Sequence, residues 1–440
     1  MTTLDRNGGG APDASVPQIL DPSGRRLARG TLIVAAGLTV TGVGTLAMIA
    51  LVDHAMADKA QSAFNLWWLT TTLLSTVFGV FEAYLSRLAV TETAAGRDAS
   101  PVVGALLGRT WLVAAGMGVV VLALGPWLTS REFGGYAGLT LLLPVFVLIA
   151  ATQAVQRAVA TGRGRFTTIA AQLTVDGLLR VTITAVLIGT GWATVDRLAI
   201  GTCIAGAAGL AAGGRSCPHW FARPRLAAAG ISWRPILLLL AGSACPLLAG
   251  SGPALWLNVA GHVTKPTIVA FSAALTISRI PTQFVSAAFS PLLSQLGHAI
   301  ESADHATFVR LRSKAELAAA ALGVTFIIGF SFVGAWALPI YSSTPAGSAI
   351  PIGDLALLAT AGALMFLTVV QQASLTALDA WGWIAGSWGG GTIVLFLTFL
   401  LPFPSVTRAV VAPAAAVLTA TLLMVAARRS SHLRLRPPTG

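Results

Sequence analysis

The chain has 440 residues, of which 55% are hydrophobic and 10% charged, and its mean hydropathy is +0.78. That composition excludes an ordinary water-soluble domain, where charged residues make up about a quarter of the total. The net charge of +12 could suggest nucleic acid, but the basic residues lie between apolar runs, where membrane topology and anionic lipid account for them, so no nucleic-acid partner is expected.

In chain order, residues 1 to 29, rich in Gly, Pro, Asp and Ser, are expected to form a disordered cytoplasmic tail. Apolar runs long enough to cross a bilayer core of about 30 Å as helices then cover residues 30 to 52, 64 to 86, 104 to 128, 136 to 158, 166 to 189, 193 to 213, 235 to 257, 266 to 290, 315 to 338, 352 to 378, 383 to 402 and 406 to 427. The runs are continuously apolar instead of alternating, which predicts helices and not a barrel. The expected fold is therefore all-α and polytopic, with about 12 transmembrane helices. The first run is too long for a signal peptide and is kept as a mature helix. With both termini cytoplasmic, 21 Lys and Arg fall in cytoplasmic segments, Arg87, Arg109 and Arg157 among them, against five in outer ones. This is the asymmetry of the positive-inside rule and predicts a multi-pass protein of the bacterial cytoplasmic membrane.

Cys203, Cys217 and Cys245 form an odd set without C-x-x-C spacing, so neither a disulfide framework nor a metal site is indicated. His298 and His305 have no further ligand residues around them in the sequence. No cofactor is expected, and no phosphate-binding glycine loop points to ATP coupling. The outer connections are too short to present a catalytic constellation, which argues against an enzyme.

The chain also aligns with itself. An offset of 208 places "FEAYLSRL" (81 to 88) on "FSPLLSQL" (289 to 296), and Gly42 and Gly44 on Gly250 and Gly252. An offset of 218 places Gln153 on Gln371 and Gly164 on Gly382. The reading is two six-helix lobes, 30 to 213 and 235 to 427, joined by a cytoplasmic linker at 214 to 234 and followed by a basic tail at 428 to 440. Because six is even, the lobes share an orientation and are related by a pseudo-two-fold axis along the membrane normal. Spans 1 and 7 carry Gly42 and Gly44, and Pro246, Gly250 and Gly252. Corresponding interrupted helices would mark hinges or a transport cavity, whereas close helix packing uses the same small residues.

In span 5, Asp176 and Arg180 stand four residues apart near the bilayer midplane, the spacing and order of a helical ion pair. They serve either as a structural pair or as a cavity lining. Arg279 in span 8 has no acidic neighbour in its own helix; it is read as facing an anion, the alternative being a partner among Asp176, Glu82 and Asp354. Glu82 itself is expected to snorkel or to pair with Arg87.

The string Arg157-x4-Gly162-Arg163-Gly164-Arg165-Phe166, followed by "AAQLTVDGLLRV" (170 to 181), resembles the loop between helices four and five of Wzx-type polysaccharide flippases of the multidrug/oligosaccharidyl-lipid/polysaccharide exporter superfamily. "SRIPTQFVSAAFSPLLSQLGHAIESADHATFVRL" (278 to 311) is similar to their span 8 and the loop after it. The resemblance implies a two-lobed transporter that moves a polyprenyl-diphosphate-linked oligosaccharide from the inner to the outer leaflet by alternating access, for cell-surface polysaccharide synthesis. Arg279 and Arg180 are the positions that it would assign to the lipid diphosphate. Glycosyltransferases, a polysaccharide polymerase and membrane lipids are the implied partners. One departure is Asp379-Ala380-Trp381-Gly382-Trp383, where relatives commonly carry basic residues. The alternative is a drug/cation antiporter of the same fold. Such a protein needs unpaired intramembrane carboxylates, yet spans 1 and 7 contain none and Asp176 has Arg180 beside it.

Overall fold

A computed structural model describes residues 25–96, 100–214, 233–259, 267, 271, 274, 275, 278, 288–341 and 351–429. Among the described residues the principal helices are α1 (Arg25–Ala55), α2 (Asp58–Ala94), α3 (Ser100–Ala123), α4 (Ala137–Gly162), α5 (Phe166–Gly189), α6 (Val195–Gly214), α7 (Arg234–Val259), α8 (Phe289–Glu301), α9 (His305–Tyr341), α10 (Ile352–Ala377), α11 (Trp381–Phe399) and α12 (Ser405–Arg429). Among the described residues, ten helices are long and apolar enough to cross a membrane. The expected bounds of span 5 coincide with α5. By contrast α2 and α9, at 37 residues each, run well past their apolar stretches. Apolarity marks where hydrocarbon ends, whereas good helix formers such as Arg87, Arg310, Arg312 and Lys314 let the helix continue into the interface.

The two lobes repeat one packing pattern. In the first, α1 packs on α5, α2 and α3 on α4, and α4 and α5 on α6; in the second, α7 packs on α11, α8 and α9 on α10, and α10 and α11 on α12. Each pair in the second lobe is the first-lobe pair advanced by six helices, as duplication requires. The register of the later helices differs from the predicted one. Helices α4 and α10 are both 26 residues long, and Ala137 on Ile352 with Gly162 on Ala377 is an offset of 215. It places Gln156, and not Gln153, on Gln371, and Gly164 on Asp379. Helix ends fix this register, which isolated Gln and Gly matches could not.

Neither α1 nor α7 is broken: α1 is one helix of 31 residues, and α7 is one of 26 that accommodates Pro246 and Pro253 internally. The α1 glycines have a packing explanation. A Cβ on Gly44 would lie 2.5 Å from the Gly177 carbonyl oxygen, and one on Gly177 would lie 2.6 Å from the Thr41 Cα. At that crossing the Thr41 hydroxyl donates to the Leu173 carbonyl at 2.6 Å. Gly42 faces open space. Gly250 and Gly252 are helical, and the nearest atom to a Cβ on Gly252 would be Leu395 Cδ2 at 3.7 Å.

Three core clusters place the lobes relative to one another. One, with Phe78, Phe81, Tyr84, Leu85, Ile236, Leu239, Trp381 and Trp388, draws on both lobes. Another, around Phe64, Trp67, Phe133 and Phe146, belongs to the first lobe alone. A third, around Leu257, Phe271, Phe330 and Val410, belongs to the second. Among the described residues, the lobes thus join toward the end of the bundle that carries most of the arginines, the basic end, while the opposite halves pack within themselves.

Candidate functional site

The predicted ion pair forms. Arg180 Nη2 donates to Asp176 Oδ2 at 2.5 Å, and both side chains are more than nine-tenths buried. Counting about 1.5 Å per residue from Phe166 puts the pair near the middle of α5. Arg180 Nη1 also points to Thr45 Oγ1 on α1 at 3.4 Å, and its guanidinium lies 4.8 Å from the Trp68 ring centroid. On α6, Gly209 meets Asp176 at close range: a Cβ there would be 3.0 Å from the Asp176 Cβ. The pair is therefore enclosed by α1, α2 and α6 inside the first lobe.

A polar seam continues from it toward the basic end. Gln153 Nε2 donates to the Gly206 carbonyl at 2.8 Å, and Gln156 Nε2 to the Leu210 carbonyl at 3.0 Å. Both amide atoms of Gln172, one turn before Asp176, are buried without a hydrogen-bond partner, as are Asp176 Oδ1 and Arg180 Nε. Small residues on α6 make room for this seam, since a Cβ on Gly213 would fall 2.6 Å from the Gln156 amide. Buried polar groups normally find partners, so four unpartnered atoms between Gln172 and Arg180 of one helix stand out chemically.

At the basic end the lobes are clasped by Arg87 of α2. Its side chain is 6% exposed. Nη1 donates to Glu301 Oε1 at 2.7 Å and to Thr91 Oγ1 at 2.6 Å, while Nη2 donates to Asp379 Oδ2 at 3.2 Å. Glu301 closes α8 and Asp379 sits in the turn after α10, so one guanidinium on the first lobe holds two carboxylates of the second. Tyr84, one turn earlier, meets Trp381 edge-on with ring centroids 5.6 Å apart. A Cβ on Gly297 of α8 would lie 2.7 Å from Val90 Cγ1, which brings α2 and α8 into close contact.

This arrangement corrects the expected partner of Glu82. Residues 82 and 87 are five apart, about 140° around a helix, and face different ways. Glu82 instead takes Arg157 of α4, with Nη2 at 2.8 Å and Nε at 2.9 Å. The rest of the Arg157 to Phe166 motif builds the α4–α5 turn. Gly162 lies against α2, where a Cβ would collide with that of Ala89, Arg163 caps α4, Gly164 has φ +65° and Arg165 precedes α5. The corresponding turn of the second lobe has Asp379 at φ +55°. Glycine suits that left-handed position best and Asp tolerates it; the carboxylate supplies a ligand for Arg87 that glycine would lack.

Arg279 lies outside the described residues. Arg109, expected in a cytoplasmic segment, lies within α3 and is 8% exposed. The clasp residues Glu301 and Asp379 were not singled out as site residues from the sequence. The only local trace was an acidic residue at Asp379 where basic ones are common in the resembling family. A second cluster ties α9, α10 and α12 together at the same end: Gln371 Nε2 donates to Glu316 Oε1 at 3.0 Å, and Arg428 is paired to the same carboxylate.

No protein-family model matches the sequence, and no curated protein matches it. Solved structures do. A MATE in complex with MaL6 superimposes with a TM-score of 0.80 at 13% identity, over 96% of this chain and 99% of that one. The MATE transporter ClbM in complex with Rb+ gives 0.78 at 14% identity, over 96% and 98%, and a variant of the Vibrio cholerae MATE transporter VcmN gives 0.76 at 15%, over 93% and 98%. At such low identity the likeness speaks to fold, and over nearly its whole length this chain has the fold of the MATE transporters.

Proposed function

We propose that this protein is a secondary membrane transporter working by alternating access, with a drug/cation antiporter as the leading substrate class. The observation that supports it is the asymmetric lobe contact: Arg87 and the shared apolar cluster join the lobes at the basic end, and the described clusters of the opposite halves each stay within one lobe. In this reading the basic end faces the bacterial cytoplasm, with both chain termini on that side, and the clasp seals it. The antiport reading draws on the likeness to MATE transporters, one of them solved with Rb+, and on Asp176, whose Oδ1 has no partner. Removing one member of a buried ion pair leaves the other unpaired at a cost of about 3–5 kcal/mol. Neutralising Asp176 would therefore destabilise the present packing of α1, α2 and α5 around Arg180 and favour rearrangement.

A second reading, the polyprenyl-diphosphate-linked glycan flippase, is favoured by Arg180: a buried guanidinium with an unpartnered Nε can offer donors to a diphosphate. Its partners would be glycosyltransferases and a polysaccharide polymerase. Proteoliposomes separate the two. The antiporter predicts uptake of a cationic dye driven by an imposed H⁺ or Na⁺ gradient and abolished by Asp176→Asn when equal amounts of folded protein are reconstituted. The flippase predicts no dye movement and translocation of a fluorescent polyprenyl-diphosphate glycan. Gradient-independent dye behaviour would reject the antiport reading.

A further inference from the structure

The most isolated buried cation among the described residues is Arg109. It stands about 14 Å along α3 from the first residue of that helix, within a candidate membrane span, and is 8% exposed. Its Nη1 is buried with no hydrogen-bond partner. Its one ring partner is Trp233, whose ring centroid lies 5.1 Å from the guanidinium carbon. Trp233 directly precedes α7, so the contact bridges the two lobes, and the residue is 37% exposed. One turn deeper into the membrane from each, Leu112 on α3 and Leu237 on α7 are 55% and 60% exposed. Arg109 and Trp233 thus put a cation and an amphipathic ring together toward the basic end, and each is followed one turn on by an exposed aliphatic side chain.

We propose that this α3–α7 seam is a binding site for an anionic phospholipid, whose phosphate meets Arg109 beneath Trp233 and whose acyl chain lies along Leu112 and Leu237. A guanidinium with a buried, unpartnered Nη1 inside the span is costly, and at this depth the lipid phosphates of the adjacent leaflet are the natural acceptors. The half-exposed indole suits the headgroup level. Zwitterionic lipids carry their own cation beside the phosphate and compete less well, so a headgroup with net negative charge is selected. Because α3 and Trp233 belong to different lobes, the bound lipid reinforces their junction. The site does not depend on which solute the protein moves.

The test uses the full chain purified in detergent and native mass spectrometry with added phosphatidylglycerol, phosphatidylcholine or inorganic phosphate. Wild-type protein should retain phosphatidylglycerol in preference to phosphatidylcholine, and Arg109→Gln should weaken retention about fivefold, the scale set by one basic side chain at an anionic surface. Arg429→Gln, at the exposed end of α12, controls for non-specific attraction and should change nothing. Equal retention by Arg109→Gln, equal retention of phosphatidylcholine, or displacement of the lipid by millimolar phosphate each overturns the site. A measurement on unaltered protein guards against misfolding of the variant: phosphatidylglycerol with a photoreactive acyl chain should crosslink to the peptides that hold Leu112 and Leu237. Crosslinks confined to other helices would also overturn it.

Discussion

Asp176 and Arg180 neutralise each other across one turn of α5, and among the described residues Asp176 is the acid paired with the arginine. Breaking the pair from one side is therefore worse than removing it. Asp176→Asn alone should lower folded abundance or thermal stability, by about 3–5 kcal/mol if no water reaches Arg180, and Asp176→Asn with Arg180→Gln should recover much of that loss. Equal stability of the single and double variants, followed by fluorescence-detected size exclusion on heating, would contradict mutual neutralisation. Asp379 makes a different kind of prediction. Its φ of +55° costs an L-residue about 1 kcal/mol or more relative to glycine. Asp379→Gly should thus leave the fold as stable as before or slightly more so, while loosening the basic end, read as faster cysteine labelling of the Val90 position. The helical pair was readable from the sequence because four residues separate its members. The clasp was not, because Arg87 reaches partners 214 and 292 residues away, and no local periodicity reports such distances.

Among the helices, the crossing of α1 and α5 separates glycines that are needed from those that are tolerated. Gly44→Ala would push a Cβ to 2.5 Å from a backbone oxygen that cannot move out of the way, whereas Gly42→Ala meets nothing within 4 Å. The first should destabilise the protein by about 1–3 kcal/mol through overpacking, and the second should stabilise it slightly through helix propensity. Melting of the two purified variants checks this directly, and a shared response would mean that the crossing is looser than its geometry. The existence of nearly every span was legible, since 20-residue apolar runs have no other use in a chain with so few charges. The continuity of α1 and α7 was not, because glycine and proline stand equally in broken helices and in close-packed ones. Spacing alone does not say which face meets a neighbour.

On the scale of the whole molecule, the repeated packing of six helices makes each lobe a unit, and the clasp decides which end is closed. Duplication was visible in the sequence through the matched α2 and α8 strings. The register of the later helices was three residues off, since it depended on single Gln and Gly matches where helix ends are the stronger marker. If the basic end is cytoplasmic, cysteines at Gly135 and Gly191 should react with an impermeant maleimide in intact cells, and those at Gly96 and Ser302 only after permeabilisation. The reverse pattern would invert the topology.

The proposed alternating access requires the lobes to part at the basic end during each cycle. Val90 and Gly297, whose close approach joins α2 to α8, offer a direct test: Val90→Cys with Gly297→Cys, on a background in which Cys203, Cys217 and Cys245 are replaced by Ser, can be oxidised to a crosslink across the closed gate. Transport in proteoliposomes should stop on oxidation and return on reduction, with neither single cysteine affected. A fully crosslinked protein that still transports at the reduced rate would contradict alternating access through this end.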